Sequence, residues 1–141
     1  TEINQLLQRK SGLLGVSGVS NDLREIMEAA SGGDHRAELA IDIYAYRVRK
    51  YIGSYLAALG GADAIIFTGG VGENGVDMRR RILQGLDRLG MVFDAERNEA
   101  CRGEEGDISA PDSPIKLLVI PTNEELLIAR DTRDVLQKTS S

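Results

Sequence analysis

The sequence predicts an α/β domain in which a central sheet is flanked by helices. Short apolar runs of strand length alternate with segments of helical periodicity, in the order helix, strand, helix, strand, loop, strand, helix. The chain has 141 residues, of which 42% are hydrophobic. That length and composition are typical of one domain with a core of its own.

Composition excludes several classes of protein. The net charge of −5 argues against a general nucleic-acid binder and against docking on an anionic membrane, because both surfaces attract basic proteins. The single cysteine, Cys101, excludes an internal disulfide and a cysteine-based zinc site, and it fits a reducing cytoplasm. No apolar stretch approaches the ~18 residues of a membrane span. Since Thr1 leads directly into structured-looking sequence, we expect the chain to be a piece of a longer protein.

Glycine and serine punctuate the first third of the chain and predict turns at Ser11-Gly12, Gly15 and Ser17-Gly18. Short helices are predicted on either side, over Ile3–Gln8 and from Asp22 to Ala30, with Asp22 as a candidate cap.

The clearest helix is predicted over residues 34–59. Its apolar residues recur at steps of three and four and define one face, formed by Ile41, Ala45, Val48, Ile52, Tyr55 and Leu59. Aromatic residues at helical spacing usually mark a core, so we expect Tyr44, Tyr51 and Tyr55 to pack against it.

Three strands are predicted in the rest of the chain, at Ala64–Thr68, Met91–Phe93 and Ile115–Ile120. The first is almost continuously apolar, which favours a strand covered on both faces. A glycine loop and then a helix to about Leu89 follow the first strand, and a helical turn with loops follows the second. The last helix is predicted to run to about Leu136, with Thr122 and Glu125 at the spacing of a capping box.

The glycine segment is the first candidate for chemistry. Glycines between a strand and a helix let backbone approach a ligand closely, and the helix start favours a phosphate. Gly70-x-Gly72-x-x-Gly75 also matches the dinucleotide fingerprint of a Rossmann-type module, with Asp94 where a ribose-binding acid would lie. Glu73 places a negative charge where that fold expects pyrophosphate. An ordinary glycine turn without a ligand is the alternative.

Two other segments offer charged groups. Glu124 follows the third strand and can offer a carboxylate to Mg²⁺, or it can simply favour the helix dipole, as we expect for Glu125. Asp22 and Arg24 predict either a flat guanidinium that stacks on a base or a capped helix start with a surface ion pair.

The remaining reactive or charged residues predict no site. We expect His35 to be solvated and Cys101 to be a free structural thiol, because neither has partners that suggest a metal or a nucleophile. The run Arg79-Arg80-Arg81 is expected to form a solvated helix face.

Three segments in this order are far more specific than any one alone. They are SGLLGVSGVSNDLR over residues 11–24, IFTGGVGEN over 66–74 and VIPTNEEL over 119–126. Together they resemble the C-terminal third of the acetate kinase family, within the sugar kinase/Hsp70/actin superfamily, and the resemblance runs from about Ile3 to Leu136. It implies a partial ribonuclease H-like (actin-like ATPase) domain. Residues 1–141 would be its C-terminal nucleotide-binding part, with the upstream part missing.

The resemblance also implies an activity, the reversible transfer of the γ-phosphoryl of ATP to acetate, which gives acetyl phosphate with the help of Mg²⁺. Asp22, Leu23 and Arg24 would line the adenine pocket, and Glu124 would be the Mg²⁺-associated glutamate. The adenosine and its first phosphates would lie beside Gly70, Val71, Gly72, Glu73 and Asn74.

The catalytic Asp and Arg residues of the family lie upstream of residue 1, so the resemblance implies no catalytic residue in this chain and an inactive isolated piece. It also implies a cytoplasmic homodimer that binds neither nucleic acid nor membrane. Three alternatives stay open: a propionate or butyrate kinase of the same family, a Rossmann-type dinucleotide module, and an interaction domain that has lost its ligand.

Overall fold

The computed structural model describes residues 1–139, without the side chains of residues 124, 138 and 139. By the density of its contacts the chain divides into two compact units. The first comprises Thr1–Ala62 and Arg81–Gln84, and the second comprises Asp63–Arg80 and the chain from Gly85 onwards.

The first unit is helical. Its helices are α1 (Glu2–Arg9), α2 (Gly12–Ser17), α3 (Leu23–Ser31) and α4 (His35–Leu59). Both α2 and α3 pack on α4. The buried apolar residues of these helices are Leu23, Ile26, Ala37, Ala40, Ile41 and Ala45.

Helix α2 stands where turns were predicted, so that prediction is wrong. Its last turn is held from outside, because Arg36 donates from Nε to the carbonyl of Val16 at 2.9 Å and from Nη2 to that of Gly15 at 3.3 Å. A long-range contact of this kind leaves no local trace in a segment rich in glycine and serine. Gly18 ends the helix at φ 72°, in the left-handed region that glycine favours.

The predicted apolar face of α4 is buried only in its first half. Ile41 and Ala45 are buried, whereas Tyr55 is 64% and Leu59 73% exposed. Tyr51 is also more than half exposed. The prediction that Tyr51 and Tyr55 pack in the core is therefore wrong for this chain, because periodicity shows which face can be buried and not what covers it.

The second unit contains a three-stranded sheet built from β1 (Ala64–Phe67), β2 (Gly106–Asp107) and β3 (Lys116–Val119). The strand order is β1-β3-β2, with β1 and β3 parallel and β2 antiparallel to β3. Phe67 pairs with Val119, so the carboxyl ends of β1 and β3 meet at one edge. Ile66 is 54% exposed, so the prediction that the first strand is covered on both faces is wrong here.

The helices around this sheet are short except for the last. They are α5 (Gly69–Asn74), α6 (Val76–Leu83), α7 (Ala95–Ala100) and α8 (Glu124–Thr139), with a 3-10 turn at Asp87–Leu89. The glycine segment is thus a helix and not the predicted loop.

The strand predicted at Met91–Phe93 does not form, apart from a single bridge between Phe93 and Ser109. Ala110 donates its N–H to the carbonyl of Val92, so this segment bonds to a neighbouring chain segment without becoming a regular strand. Among residues 1–139, no helix combines the length and the apolar character that crossing a bilayer requires.

Candidate functional site

One hollow lies at the edge where β1 and β3 end. Its volume is about 380 Å³, and its walls come from α5 on one side and from the residues around the start of α8 on the other. The lining residues are Gly69, Gly70, Glu73, Thr122, Asn123 and Glu125.

Parallel pairing of the two strands brings these walls together. The register that aligns Phe67 with Val119 continues one residue further, where Ile120 donates its N–H to the carbonyl of Phe67 at 2.9 Å. The hydroxyls of Thr68 and Thr122 then lie 3.2 Å apart. The hollow thus forms at the carboxyl ends of parallel strands, the edge at which open α/β sheets bind ligands.

Glu73 ties the two walls together through one oxygen. Its Oε1 accepts hydrogen bonds from the N–H of Gly69 at 2.7 Å, from the N–H of Thr122 at 2.8 Å and from the hydroxyl of Thr122 at 2.7 Å. These donors hold the pKa of the Glu73 carboxyl below its usual range, because they favour the charged form. The carboxylate that the sequence places in the glycine segment is therefore hydrogen-bonded to groups of the protein itself.

The glycines of α5, and Gly75 directly after it, differ in the space around their Cα atoms. A Cβ on Gly75 would collide with the carbonyl oxygen of Val71, and one on Gly72 would lie 3.0 Å from the carbonyl carbon of Phe67. Gly70 has open space around it, and it lines the hollow. Gly72 therefore lets α5 lie close to the end of β1, and Gly75 lets the chain pass close to the last turn of α5, whereas Gly70 leaves room in the hollow itself.

Asn123 caps the last helix. Its Oδ1 accepts the N–H of Leu126 at 2.9 Å, whereas Thr122, the predicted cap, gives its hydroxyl to Glu73. Thr122 therefore belongs to the site and does not cap the helix. Glu124 is the first residue of α8, and its side chain, predicted to face Mg²⁺, lies outside the described residues.

Asp22, Leu23 and Arg24 stand at the start of α3, in the first unit. Asp22 caps the helix by accepting the N–H of Arg24 at 2.9 Å, and it also pairs with the Arg24 guanidinium at 2.6 Å. This guanidinium and the capped N–H lower the pKa of Asp22 to about 2. Leu23 is buried, and the Arg24 side chain is 90% exposed.

The structure thus places the predicted residues in two groups. Gly70 and Glu73 line the hollow, and Val71, Gly72 and Asn74 belong to the same helix. Asp22, Leu23 and Arg24 belong to the first unit. His35 is exposed, and Cys101 is a free, buried thiol, as predicted.

Sequence reasoning missed the contributions of Gly69, Thr122 and Arg79. Arg79 was expected on a solvated face, yet it is fully buried. The spacing of Arg79 in the sequence indicates its burial. It lies three residues after Val76 and four before Leu83, on the same face of a helix, and both of these apolar residues are buried.

The hollow suits a hard divalent cation only as a companion of phosphates. In the part of the chain that is described, no three His, Cys, Asp or Glu residues form a metal-binding group. Mg²⁺ in phosphoryl-transfer sites usually takes one or two carboxylates, and phosphates and waters complete its shell. The oxygen groups of Glu125, Thr122 and Asn123 at the hollow fit that chemistry.

Comparison with known proteins decides the family. The model of the acetokinase family matches residues 1–130. The chain belongs to the acetokinase family. It is 57% identical over 136 residues to the acetate kinase of Methanosarcina acetivorans, which covers 96% of this chain and 33% of that protein. The chain spans about a third of the length of the curated relatives it matches.

Solved structures of acetokinase relatives agree with the fold. The crystal structure of Porphyromonas gingivalis acetate kinase has a TM-score of 0.87 and 50% identity, covering 95% of this chain and 34% of that one. A propionate kinase from Francisella tularensis has a TM-score of 0.80 and 42% identity, covering 91% and 32%.

Membership of the acetokinase family removes the support for the Rossmann alternative. Asp94, its candidate ribose ligand, caps α7 by accepting the N–H groups of Glu96 and Arg97 at 3.0 and 3.1 Å. The strand that should precede Asp94 does not form.

Proposed function

We propose that this chain is the C-terminal, nucleotide-binding part of an acetate kinase with a ribonuclease H-like (actin-like ATPase) fold. Such an enzyme transfers the γ-phosphoryl of ATP to acetate reversibly and gives ADP and acetyl phosphate. The observation that carries the proposal is the shared hollow, because Gly70 and Glu73 line it together with the residues around the start of α8.

The hollow has properties that suit a nucleotide. Its volume of about 380 Å³ falls within the range of small-molecule sites, roughly 300–1,000 Å³. Gly69 and Gly70 let a sugar or phosphate rest against the main chain. The start of α8, a helix of 16 residues, favours negative charge beside it.

Further residues receive roles from the family resemblance. Asp22 and Arg24 would line the adenine pocket, with Leu23 as part of its wall. The nucleotide would also lie beside Val71, Gly72 and Asn74, which share α5 with Gly70 and Glu73.

Glu124 is proposed as the residue that associates with Mg²⁺, directly or through water. The ion would neutralise phosphate charge during transfer. Glu125, which lines the hollow, would hold water of the ion's shell, and Asn123 would hold water or phosphate on the same side.

The acyl substrate is proposed to be acetate. A propionate kinase among the solved relatives makes propionate the second candidate, with butyrate a further member of the same series. Full-length protein would distinguish them by its kcat/KM for the three acids.

The remaining proposals concern the whole enzyme. We propose that the rest of the polypeptide supplies the catalytic Asp and Arg residues, that the enzyme is cytoplasmic, and that it is a homodimer. Sedimentation of the full-length protein tests the dimer, and a monomer at high concentration would contradict it.

The test of the nucleotide site fills the hollow from its glycine wall. Gly70→Leu places a side chain into open space within a helix, so the fold should tolerate it. In the full-length enzyme we expect the KM for ATP to rise at least about tenfold while the KM for acetate stays unchanged. Gly53→Leu is the matched control, because Gly53 is also a helical glycine with open space and lies outside the lining.

An unchanged KM for ATP in a folded Gly70→Leu enzyme would contradict the proposed site. An equal effect of Gly53→Leu would show that the loss comes from general damage to the fold.

A further inference from the structure

Arg79 is a buried cation without a carboxylate partner among its described contacts. It is 0% exposed, and burial lowers the pKa of its guanidinium. A buried charge is costly unless hydrogen bonds satisfy it. Other groups must therefore stabilise the Arg79 guanidinium, which lies on a helix next to the site.

Every branch of the guanidinium donates to a neutral oxygen. Nη1 bonds to the carbonyls of Gly72 at 2.7 Å and Glu73 at 2.9 Å. Nη2 bonds to the carbonyls of Asn98 at 3.0 Å and Cys101 at 2.5 Å, and Nε bonds to the Asn98 side chain at 2.8 Å.

These acceptors lie at the ends of two helices. Gly72 and Glu73 belong to the last turn of α5, whereas Asn98 and Cys101 lie at the end of α7. The last carbonyls of a helix lack partners within it and carry its negative dipole end. A planar fork of donors can satisfy both ends at once, and an ammonium group cannot match its geometry.

Glu73 connects this buried fork to the hollow. Its carbonyl accepts from Arg79 and also from the N–H of Gly103 at 3.1 Å, while its carboxylate holds Gly69 and Thr122. Fixing the backbone of Glu73 therefore fixes the point from which its side chain reaches across the hollow.

We propose that Arg79 is a positioning residue of this site: it clamps the end of α5 to the end of α7, so that Glu73 holds the two walls of the hollow at a fixed separation. The link to catalysis rests on the proposed function, since it assumes that nucleotide occupies the hollow. The clamp itself needs no ligand.

Hydrogen exchange without nucleotide tests the clamp directly, in the full polypeptide that carries this sequence. Arg79→Lys keeps the charge and loses the fork, and Arg79→Met loses both. In both variants we expect the peptides spanning 68–75 and 120–126 to exchange about tenfold faster, the scale of one lost hydrogen bond. Arg80→Met is the matched control, because Arg80 is the next residue of α6 and its side chain is about half exposed.

Asn98→Ala keeps the test informative if Arg79 variants do not fold. It removes one acceptor of the fork, so a smaller increase in exchange is expected at the same two peptides. Unchanged exchange there, or a uniform increase along the whole chain, would overturn the proposal. If both peptides exchange as slowly in Arg79→Lys as in the unaltered protein, the planar fork of donors is not required, and the positive charge alone holds the two helix ends.

A kinetic readout separates positioning from general stability. In Arg79→Lys we expect the KM for ATP to rise several-fold with the KM for acetate unchanged. If ATP leaves exchange at the hollow of the unaltered protein unchanged, the proposed function fails. Exchange in the unliganded Arg79 variants that is no faster than in the unaltered protein would overturn the clamp alone.

Discussion

At the scale of single residues, the site depends on the hydrogen bonds that the Glu73 carboxylate accepts. One carboxylate oxygen receives three donors, two of them backbone N–H groups, from both sides of the hollow. Hydrogen bonds to an ionised acceptor are stronger than neutral ones. Asp22 has a similar local arrangement at the start of α3, but its partner Arg24 is exposed, and exposed pairs contribute little to stability.

Glu73 should make stability depend on acid pH. Its pKa is lowered in the folded state, so its contribution is present above the usual value of 4.5 and is lost as pH falls through the folded pKa. Glu73→Gln keeps the shape and removes the charge. We expect the free energy of unfolding to differ most between the two proteins near pH 7, and the difference to shrink below pH 4.5 in urea titrations.

The control for this pH test is Glu105→Gln, at an exposed acid outside the hollow. It should change stability little at either pH. A difference between Glu73→Gln and the unaltered protein that is the same at pH 7 and at pH 3 would contradict the role of the charge.

At the scale of elements, the junction of α5 and α6 depends on Gly75. A Cβ there meets the backbone of Val71, which cannot yield as a flexible side chain can. We expect Gly75→Ala to lower the free energy of unfolding by about 1–3 kcal/mol, as overpacking usually does. Thermal and urea unfolding measure it.

The comparison is Gly53→Ala in α4, where nothing lies within 4 Å of the added Cβ. Alanine is the better helix residue, so this variant should be more stable by about 0.5–1 kcal/mol. Equal effects of the two substitutions would contradict the close approach at Gly75.

The start of α8 depends on Asn123. Asn123→Ala removes the oxygen that accepts the N–H of Leu126, and such losses cost about 0.5–2 kcal/mol. Asn123→Asp keeps an acceptor and should restore most of the loss. Helix content by circular dichroism, together with urea unfolding, measures both; if Ala and Asp behave alike, the cap is not what stabilises the helix.

The elements that the sequence predicted correctly are those with a local signal. The candidate cap Asp22 identified α3, the regular spacing of apolar residues identified α4, and continuous apolar runs identified β1 and β3. Helices α2 and α5 were missed because glycine favours turns locally, and long-range contacts from Arg36 and Arg79 decide otherwise.

The candidate site was predicted in the same uneven way. The glycine segment and the segment after the third strand were identified from sequence, and the structure brings Gly70, Glu73, Thr122, Asn123 and Glu125 to one hollow. The hydrogen bonds that Thr122 donates to Glu73 join residues 49 positions apart, so no local pattern indicates them. The burial of Arg79 was missed because charged runs usually face solvent.

At the scale of the whole molecule, arginines serve as internal caps in an acidic protein. Arg36 bonds to the end of α2, Arg49 to the carbonyl of Arg81 near the end of α6, and Arg79 to the ends of α5 and α7. Cations suit the negative ends of helices. Although the net charge is −5, these arginines stabilise the ends of short helices through hydrogen bonds to carbonyl groups.

The chain spans about a third of its relatives, and this leads to a prediction about activity. We expect the 141 residues alone to form no acetyl phosphate from ATP and acetate, because the catalytic groups are proposed to lie in the rest of the enzyme. A hydroxamate assay on the chain and on the full polypeptide compares them. Normal turnover by the chain alone would show that its own residues suffice.

The most direct measurement is the footprint of the nucleotide itself. Hydrogen exchange of the full polypeptide, with and without ATP and Mg²⁺, should show slower exchange at residues 69–74 and 121–126 when the nucleotide is present. We predict protection of both segments together, because they are the two walls of one hollow. Protection elsewhere, with both walls unchanged, would contradict it.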